Sequence, residues 1–187
     1  MTTGPATLLR GRLLCGVLMS DDKPFFRFHP GAYERGSFVA SDKACDVCER
    51  PSIWLYEGIV YVAGDAPAVC ARCIADGRLA AFLDGAFSLH DADFHDDVDA
   101  ALAEEVMQRT PGFSTFNAFG WPVLDGKPLA FFGHAEEDLV WQTPEAVEAV
   151  RTLYRDEQDE ELEGRTSYAV VFREVDGPRY VAILDFD

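Results

Sequence analysis

Apolar residues along this chain recur in two rhythms, one near 3.6 residues and one near 2, which are the periods of a half-buried helix and a half-buried strand. Phe25, Phe26 and Phe28 run into His29-Pro30-Gly31. Proline restrains the residue before it and glycine permits positive φ, so this stretch predicts an extended strap or strand ending in a turn. Ile53-Trp54-Leu55-Tyr56 and Ile59-Val60-Tyr61-Val62 flank Glu57-Gly58, a spacing that predicts a β-hairpin. Residues 74–82 predict a short helix or helical turn. Val98, Ala101, Leu102, Val106 and Met107 keep helical spacing, which predicts a helix over 97–109, capped by Asp96 and stopped by Pro111-Gly112.

Residues 113–133 are rich in aromatics but broken by Gly120, Pro122, Gly126 and Pro128, so they predict loop and short strands with the aromatic rings in the core. Thr143-Pro144-Glu145 reads as the cap, first residue and acidic first turn of a helix through Val147, Val150, Leu153 and Tyr154, with Gly164 ending its charged tail. The runs 168–175 and 179–186 surround Asp176-Gly177-Pro178 and predict a terminal hairpin. These elements, with the pairs Cys45/Cys48 and Cys70/Cys73 whose four thiols can share one zinc ion, predict an α+β fold, with a small zinc-knuckle lobe carrying a β-hairpin packed on a mixed sheet-and-helix body.

A length of 187 residues at 48% hydrophobic suits a single domain with a sizeable core. Residues 1–18 mimic an export signal, with Arg10 and Arg12 ahead of an apolar run, but that run is short and lacks an A-x-A cleavage site. Met19 then opens Met-Ser-Asp-Asp-Lys-Pro like a natural start. Residues 1–18 are therefore expected to be a disordered leader or a start-site artefact, with Cys15 carrying no role. Residues 19–187 are expected to form one domain, with 40–83 as its zinc-knuckle lobe.

Charge narrows the function classes. Thirty-three acidic against 16 basic side chains give a net charge of −17, which repels nucleic-acid phosphate and anionic lipid. No stretch approaches the roughly 18 apolar residues that a membrane helix needs. A cytoplasmic protein without direct nucleic-acid or membrane contact is expected, and its charge suits a basic protein partner.

The strongest chemical pattern is Cys45-x2-Cys48 followed, after twenty-one residues, by Cys70-x2-Cys73. Two thiolates two residues apart can both reach one tetrahedral ion, and four soft sulfurs favour Zn2+ over disulfides, an iron–sulfur centre or free thiols. With all four positions filled by protein, one structural zinc would leave no open site for water. It would support folding rather than catalysis.

Around those cysteines the strings Phe28-His29-Pro30, Cys73-Ile74-Ala75-Asp76-Gly77 and Arg109-Thr110-Pro111-Gly112-Phe113 resemble the CbrC family of bacterial proteins. The resemblance runs from about Phe25 to the C terminus. It implies a small cytoplasmic protein associated with bacteriocin tolerance and supplies no catalytic residues. Where relatives place His, Cys, Asp and a second Cys after the tryptophan matching Trp121, this chain has Leu124, Asp125, Lys127 and Leu129. A second metal or redox role there would lack its ligand set.

His90, Asp91, Asp93, His95, Asp96, Asp97 and Asp99 form another candidate metal cluster, although their spacing matches neither an EF-hand nor H-E-x-x-H. An acidic loop leading into a helix explains them as well. With Asp84, Glu104 and Glu105, the same aspartates Asp91, Asp93, Asp96, Asp97 and Asp99 are the candidate surface for a basic partner. His29 and His134 are expected to be structural or surface residues, and no phosphate loop or nucleophile elbow is present. The leading expectation is a non-catalytic, zinc-binding acidic protein that neutralises a basic toxin domain, such as a nuclease-type toxin, in an immunity or bacteriocin-tolerance role. The alternatives are a metal-dependent hydrolase using the His90–Asp99 cluster and a zinc-bearing regulatory adaptor.

Overall fold

The segment Ala-Val-Val-Phe at 169–172 is apolar at every position, a pattern that alternation on one wet face cannot accommodate. In the computed structural model, which describes residues 23–85, 98–116, 120–157 and 168–185, this segment is the central strand of a sheet covered on both faces. The strands β1 (Phe38–Ala40), β2 (Trp54–Tyr56), β3 (Val123–Leu124), β4 (Lys127–Pro128), β5 (Ala130–His134), β6 (Ala169–Arg173) and β7 (Tyr180–Leu184) occur with helices α1 (Ala71–Ala75), α2 (Arg78–Phe82), α3 (Ala100–Arg109), α4 (Asp138–Trp141) and α5 (Pro144–Glu157). The architecture is α+β, as expected.

The main sheet is antiparallel in the order β5-β6-β7, with the terminal hairpin pairing Val170 with Ile183 and Phe172 with Val181. Because side chains alternate along a strand, Ala169 and Val171 face one side and Val170 and Phe172 the other. On the first side they meet Ala135, Val140, Ala146, Val150 and Tyr154 from the α4 and α5 layer. On the second they meet Phe28, Val106, Trp121, Leu129 and Phe131. Phe113 stacks on Phe131 at 3.9 Å between ring centres and meets Trp121 and Phe172 edge-on, so Phe113, Trp121 and Phe131 are core, as expected, whereas Phe116 is 61% exposed and Phe119 lies outside the described residues.

Phe25 to Phe28 form a strap rather than a strand. Phe25 faces solvent, Phe26 enters a third core cluster around the cysteines, and Phe28 enters the sheet core, where its carbonyl accepts a 2.8 Å hydrogen bond from the Phe131 N–H.

The expected hairpin between 53–56 and 59–62 is replaced by a different pairing. β2 is bonded to β1, in the register Val39 opposite Leu55, while on its other edge the Tyr56 N–H donates to the Val69 carbonyl at 2.8 Å and Leu55 bridges Cys70. Both edges of β2 are therefore occupied before 59–62 can pair. The alternation at 59–62 is real, with Ile59 68% exposed and Val60 8%, but it packs a loop. Gly58 serves that loop by space: a Cβ there would collide with the Tyr56 ring.

The expected helix over 74–82 divides at Gly77, whose φ of +70° ends α1 and opens α2. The expected helix over 97–109 begins at Ala100, where the Asp99 carboxylate accepts from the N–H groups of Ala101 and Leu102 at 2.9 and 3.1 Å. Asp99, not Asp96, is the cap of α3 among the described residues. A cap is set by whichever side-chain oxygen meets the free N–H groups of the first turn, and here that oxygen belongs to Asp99. α5 begins at Pro144, as its sequence predicts, while Gly164 lies outside the described residues, as do residues 1–18. No helix among the described residues is long and apolar enough to cross a membrane.

Candidate metal centre

Cys45-Asp46-Val47-Cys48 forms a tight turn in which the Glu49 N–H donates to the Cys45 carbonyl at 2.7 Å, and Glu49 takes a left-handed φ of +58°. Across from it, Cys70 precedes the first turn of α1 and its carbonyl accepts from the Cys73 N–H at 2.9 Å. Both turns place the two thiols of a pair on one side. Asp46 joins the turns, because its N–H donates to the Ala68 carbonyl at 2.8 Å and its carboxylate accepts from the Ala68 N–H at 2.7 Å. The surrounding core of Phe26, Phe38, Leu55, Val69, Ile74 and Leu79 closes the site from beneath.

The result gathers all four sulfurs within 4.8 Å of one another. Cys45 Sγ lies 3.7 Å from Cys73 Sγ, and Cys48 Sγ lies 3.9 Å from Cys70 Sγ. Four sulfurs held about 2.3 Å from a central ion at tetrahedral angles stand about 3.8 Å apart. The set could hold one metal ion, with Cys45, Cys48, Cys70 and Cys73 as its ligands.

Electrostatics agree with a cation at the centre. Burial raises the Cys45 thiol, but the N–H groups of Cys70, Cys48 and Val47 outweigh it and lower the net value. The Cys70 N–H, 3.3 Å from Cys45 Sγ, is one of these donors. Burial pushes Cys70 and Cys73 up, and the neighbouring sulfurs add to the rise at Cys73. Without a cation the Cys45 thiolate is favoured while Cys70 and Cys73 resist ionisation; a bound divalent ion deprotonates its thiol ligands outright.

The residues expected to meet a partner fare differently. Asp99 caps α3, Glu104 lies 3.5 Å from Arg109, and Glu105 is paired with Arg27. Asp84 follows α2 with a left-handed φ of +56°. Asp91, Asp93, Asp96 and Asp97, together with His90 and His95 of the candidate hydrolytic cluster, lie outside the described residues.

Sequence reasoning set aside two histidines that the fold brings to one cleft. His29 is 1% exposed, and its Nδ1 donates to the Pro111 carbonyl at 3.0 Å. Its Nε2 is buried and has no hydrogen-bond partner among the described residues. His134 sits at the end of β5, with Nδ1 3.3 Å from Glu137 Oε1 and Nε2 2.7 Å from the Ser114 carbonyl oxygen. Arg35, in the turn after the strap, reaches across to Glu137 through Nε at 3.1 and 3.3 Å and through Nη2 at 3.0 Å, and Nη2 also donates to the Phe132 carbonyl. Burial alone would raise the Glu137 carboxyl, yet the bonds from His134 and Arg35 bring it down to about 2. The only sequence trace of this network is glycine placement: a Cβ at Gly31 would collide with the Arg35 guanidinium, and one at Gly133 would sit 3.0 Å from both Arg35 and Glu137.

Comparison with known proteins shows the family. The family model described as "Uncharacterised protein family (UPF0167)" matches residues 24–174. The chain is 37% identical to UPF0167 protein Mb2317 of Mycobacterium bovis over 133 residues, covering 71% of each chain. UPF0167 protein MT2352 of Mycobacterium tuberculosis gives the same figures. Identity to UPF0167 protein PA1536 of Pseudomonas aeruginosa is 32% over 126 residues, covering 66% of this chain and 70% of that one. No solved structure matches. With four-fifths of its length under the family model, the chain belongs to the UPF0167 family.

Proposed function

We propose that the protein is a zinc-stapled, non-catalytic binding protein whose acidic surface captures a basic protein domain. One observation carries this reading: the four-sulfur cluster offers a complete ligand set at spacings suited to tetrahedral Zn2+. A closed ligand set gives a fold-supporting ion rather than a Lewis acid with an open position. The net charge of −17 directs the surface toward a cationic partner, whose approach it accelerates by long-range attraction. The CbrC-like strings narrow that partner to a basic bacterial toxin domain of nuclease type, in an immunity or bacteriocin-tolerance role in the cytoplasm.

Metal analysis of the purified protein tests the first half, with one zinc per chain expected and released only as the protein unfolds. Iron, or two disulfides in place of metal, overturns it. For the second half, cells producing the protein are challenged with a nuclease-type toxin encoded beside it. Protection, together with association that weakens steeply as salt rises, is expected; full sensitivity to the toxin overturns the partner assignment and leaves the zinc assignment standing.

A further inference from the structure

Residues 112–115 run without helix or strand beside a cavity of about 330 Å³, which they line together with Ser37, Tyr56, Glu57 and Tyr61. Both flanks of this segment are anchored. The Gly112 N–H donates to the Tyr56 hydroxyl at 3.0 Å, the Phe113 ring stacks on Phe131, and the Phe116 N–H donates to the Asp185 carboxylate at 2.8 Å. Between those anchors Ser114 is exposed, and its carbonyl oxygen lies 2.7 Å from His134 Nε2 at the end of β5.

That tie depends on a proton. The Ser114 carbonyl oxygen and Glu137 Oε1, 3.3 Å from His134 Nδ1, are both acceptors, so only an imidazolium can donate to both. A neutral ring has one N–H and turns a bare lone pair toward the other oxygen. Among the ionisable groups that share this cleft, Glu137, Glu136 and Glu34 favour the cation, while Arg35 and His29 oppose it. Segment 112–116 contributes no ionisable side chain. Burial works against the charged ring, yet the bonds to Glu137 and Ser114 and the charges of Glu137 and Glu136 outweigh it and raise His134 above its ordinary 6.5.

The chemistry of the two acceptors decides which bond survives deprotonation. Glu137 is anionic, and a charge-assisted hydrogen bond is roughly twice as strong as a neutral one. The last proton therefore stays on Nδ1, and the Nε2 proton leaves to water at a side chain that is 17% exposed. Two lone pairs then face each other across the 2.7 Å contact at Ser114. Glu137 is held in place by the His134 N–H at 2.8 Å and by Arg35, so it is the Ser114 side that yields. We propose that His134 is a pH-operated latch: as a cation it ties the Ser114 carbonyl to the Glu137 network, and on losing its proton it releases Ser114 and Thr115 where they border the cavity. Because the folded value lies above the ordinary one, the tie is complete below pH 6.5 and is lost as pH rises through the folded value.

NMR of the zinc-loaded protein, titrated from pH 5.5 to pH 9, tests the latch. The His134 ring nitrogens are expected to titrate with a midpoint above 6.5 and to show the Nδ1–H tautomer when neutral. The Ser114 carbonyl carbon signal is expected to move with the same midpoint, and the backbone order parameters of Ser114 and Thr115 to fall below about 0.6 at high pH while that of Gly112 holds. Glu137→Gln removes the charge that keeps the proton on Nδ1. It is expected to lower the midpoint and to shift the neutral ring to the Nε2–H form, so that Ser114 stays tied at every pH. A wild-type midpoint at or below 6.5, a neutral ring in the Nε2–H form, or a Ser114 signal that ignores the His134 titration overturns the proposal. So does a Glu137→Gln protein that releases Ser114 with the wild-type midpoint. None of these outcomes bears on zinc or on toxin protection.

Discussion

Glu137→Gln removes one charge from the network that ties the strap turn to the main sheet, and its effect can be worked from the geometry. Glu137 accepts from the His134 N–H at 2.8 Å, from His134 Nδ1 at 3.3 Å and from Arg35 Nε at 3.1 Å, while its side chain is 28% exposed. Despite the opposing effect of burial, these donors bring the carboxyl from its ordinary 4.5 to about 2. At about 1.4 kcal/mol for each tenfold change in proton affinity, that difference caps the linked stability at about 3 kcal/mol. The partly wet flank screens some of it, so about 2 kcal/mol is expected at pH 7. For a chain of this length that corresponds to a fall in Tm of about 4–8 °C. Because the folded value lies below the unfolded one, the contribution is complete above pH 4.5 and is lost as pH falls toward 2. Urea melts followed by circular dichroism, on wild type and variant at pH 7, 5, 4 and 3, measure the gap directly. Acid release of bound metal affects both proteins and cancels in the difference. A gap that is absent at pH 7, or that stays constant from pH 5 to pH 3, refutes the reasoning.

Three further outcomes are expected. Cys73→Ser breaks the four-sulfur set at its buried end and should abolish stoichiometric metal binding by elemental analysis and lower stability by about 3 kcal/mol or more. Asp99→Ala removes the side chain that caps α3 and should cost about 1 kcal/mol in chemical denaturation, whereas Asp96→Ala should leave stability within about 0.5 kcal/mol of wild type. Gly58→Ala drives a methyl group into the Tyr56 ring, whose hydroxyl accepts from the Gly112 N–H at 3.0 Å, and should cost about 1–3 kcal/mol with a shift in the Gly112 amide signal.

Local order was legible in the residues where a single rule decides the outcome. The Cys-x2-Cys pairs declare a shared ligand set by spacing, Thr143-Pro144-Glu145 declares the start of α5, and the apolar runs around Asp176-Gly177-Pro178 declare the β6–β7 hairpin, because each depends on neighbours a few positions away. That the strand at 169–172 is covered on both faces came from the structure, because the hairpin rule fixes pairing and not what packs on each side. Where two local answers were equally good, only the assembled chain could choose. Alternation at 59–62 satisfied the rule for a hairpin strand, yet β2 had given both edges to β1 and to Val69–Cys70, and hydrogen-bonding edges are finite. Asp96 satisfied the rule for a cap, yet the first free N–H groups of α3 meet the Asp99 carboxylate instead. The cleft was the least legible of all, since His29, Arg35, His134 and Glu137 are separated by as many as 108 residues and follow no motif. Sequence determined which side chains carry protons, charge and sulfur; tertiary structure decided which of them meet, because burial and long-range contact are what deprive His29 Nε2 of water and set Glu137 between Arg35 and His134.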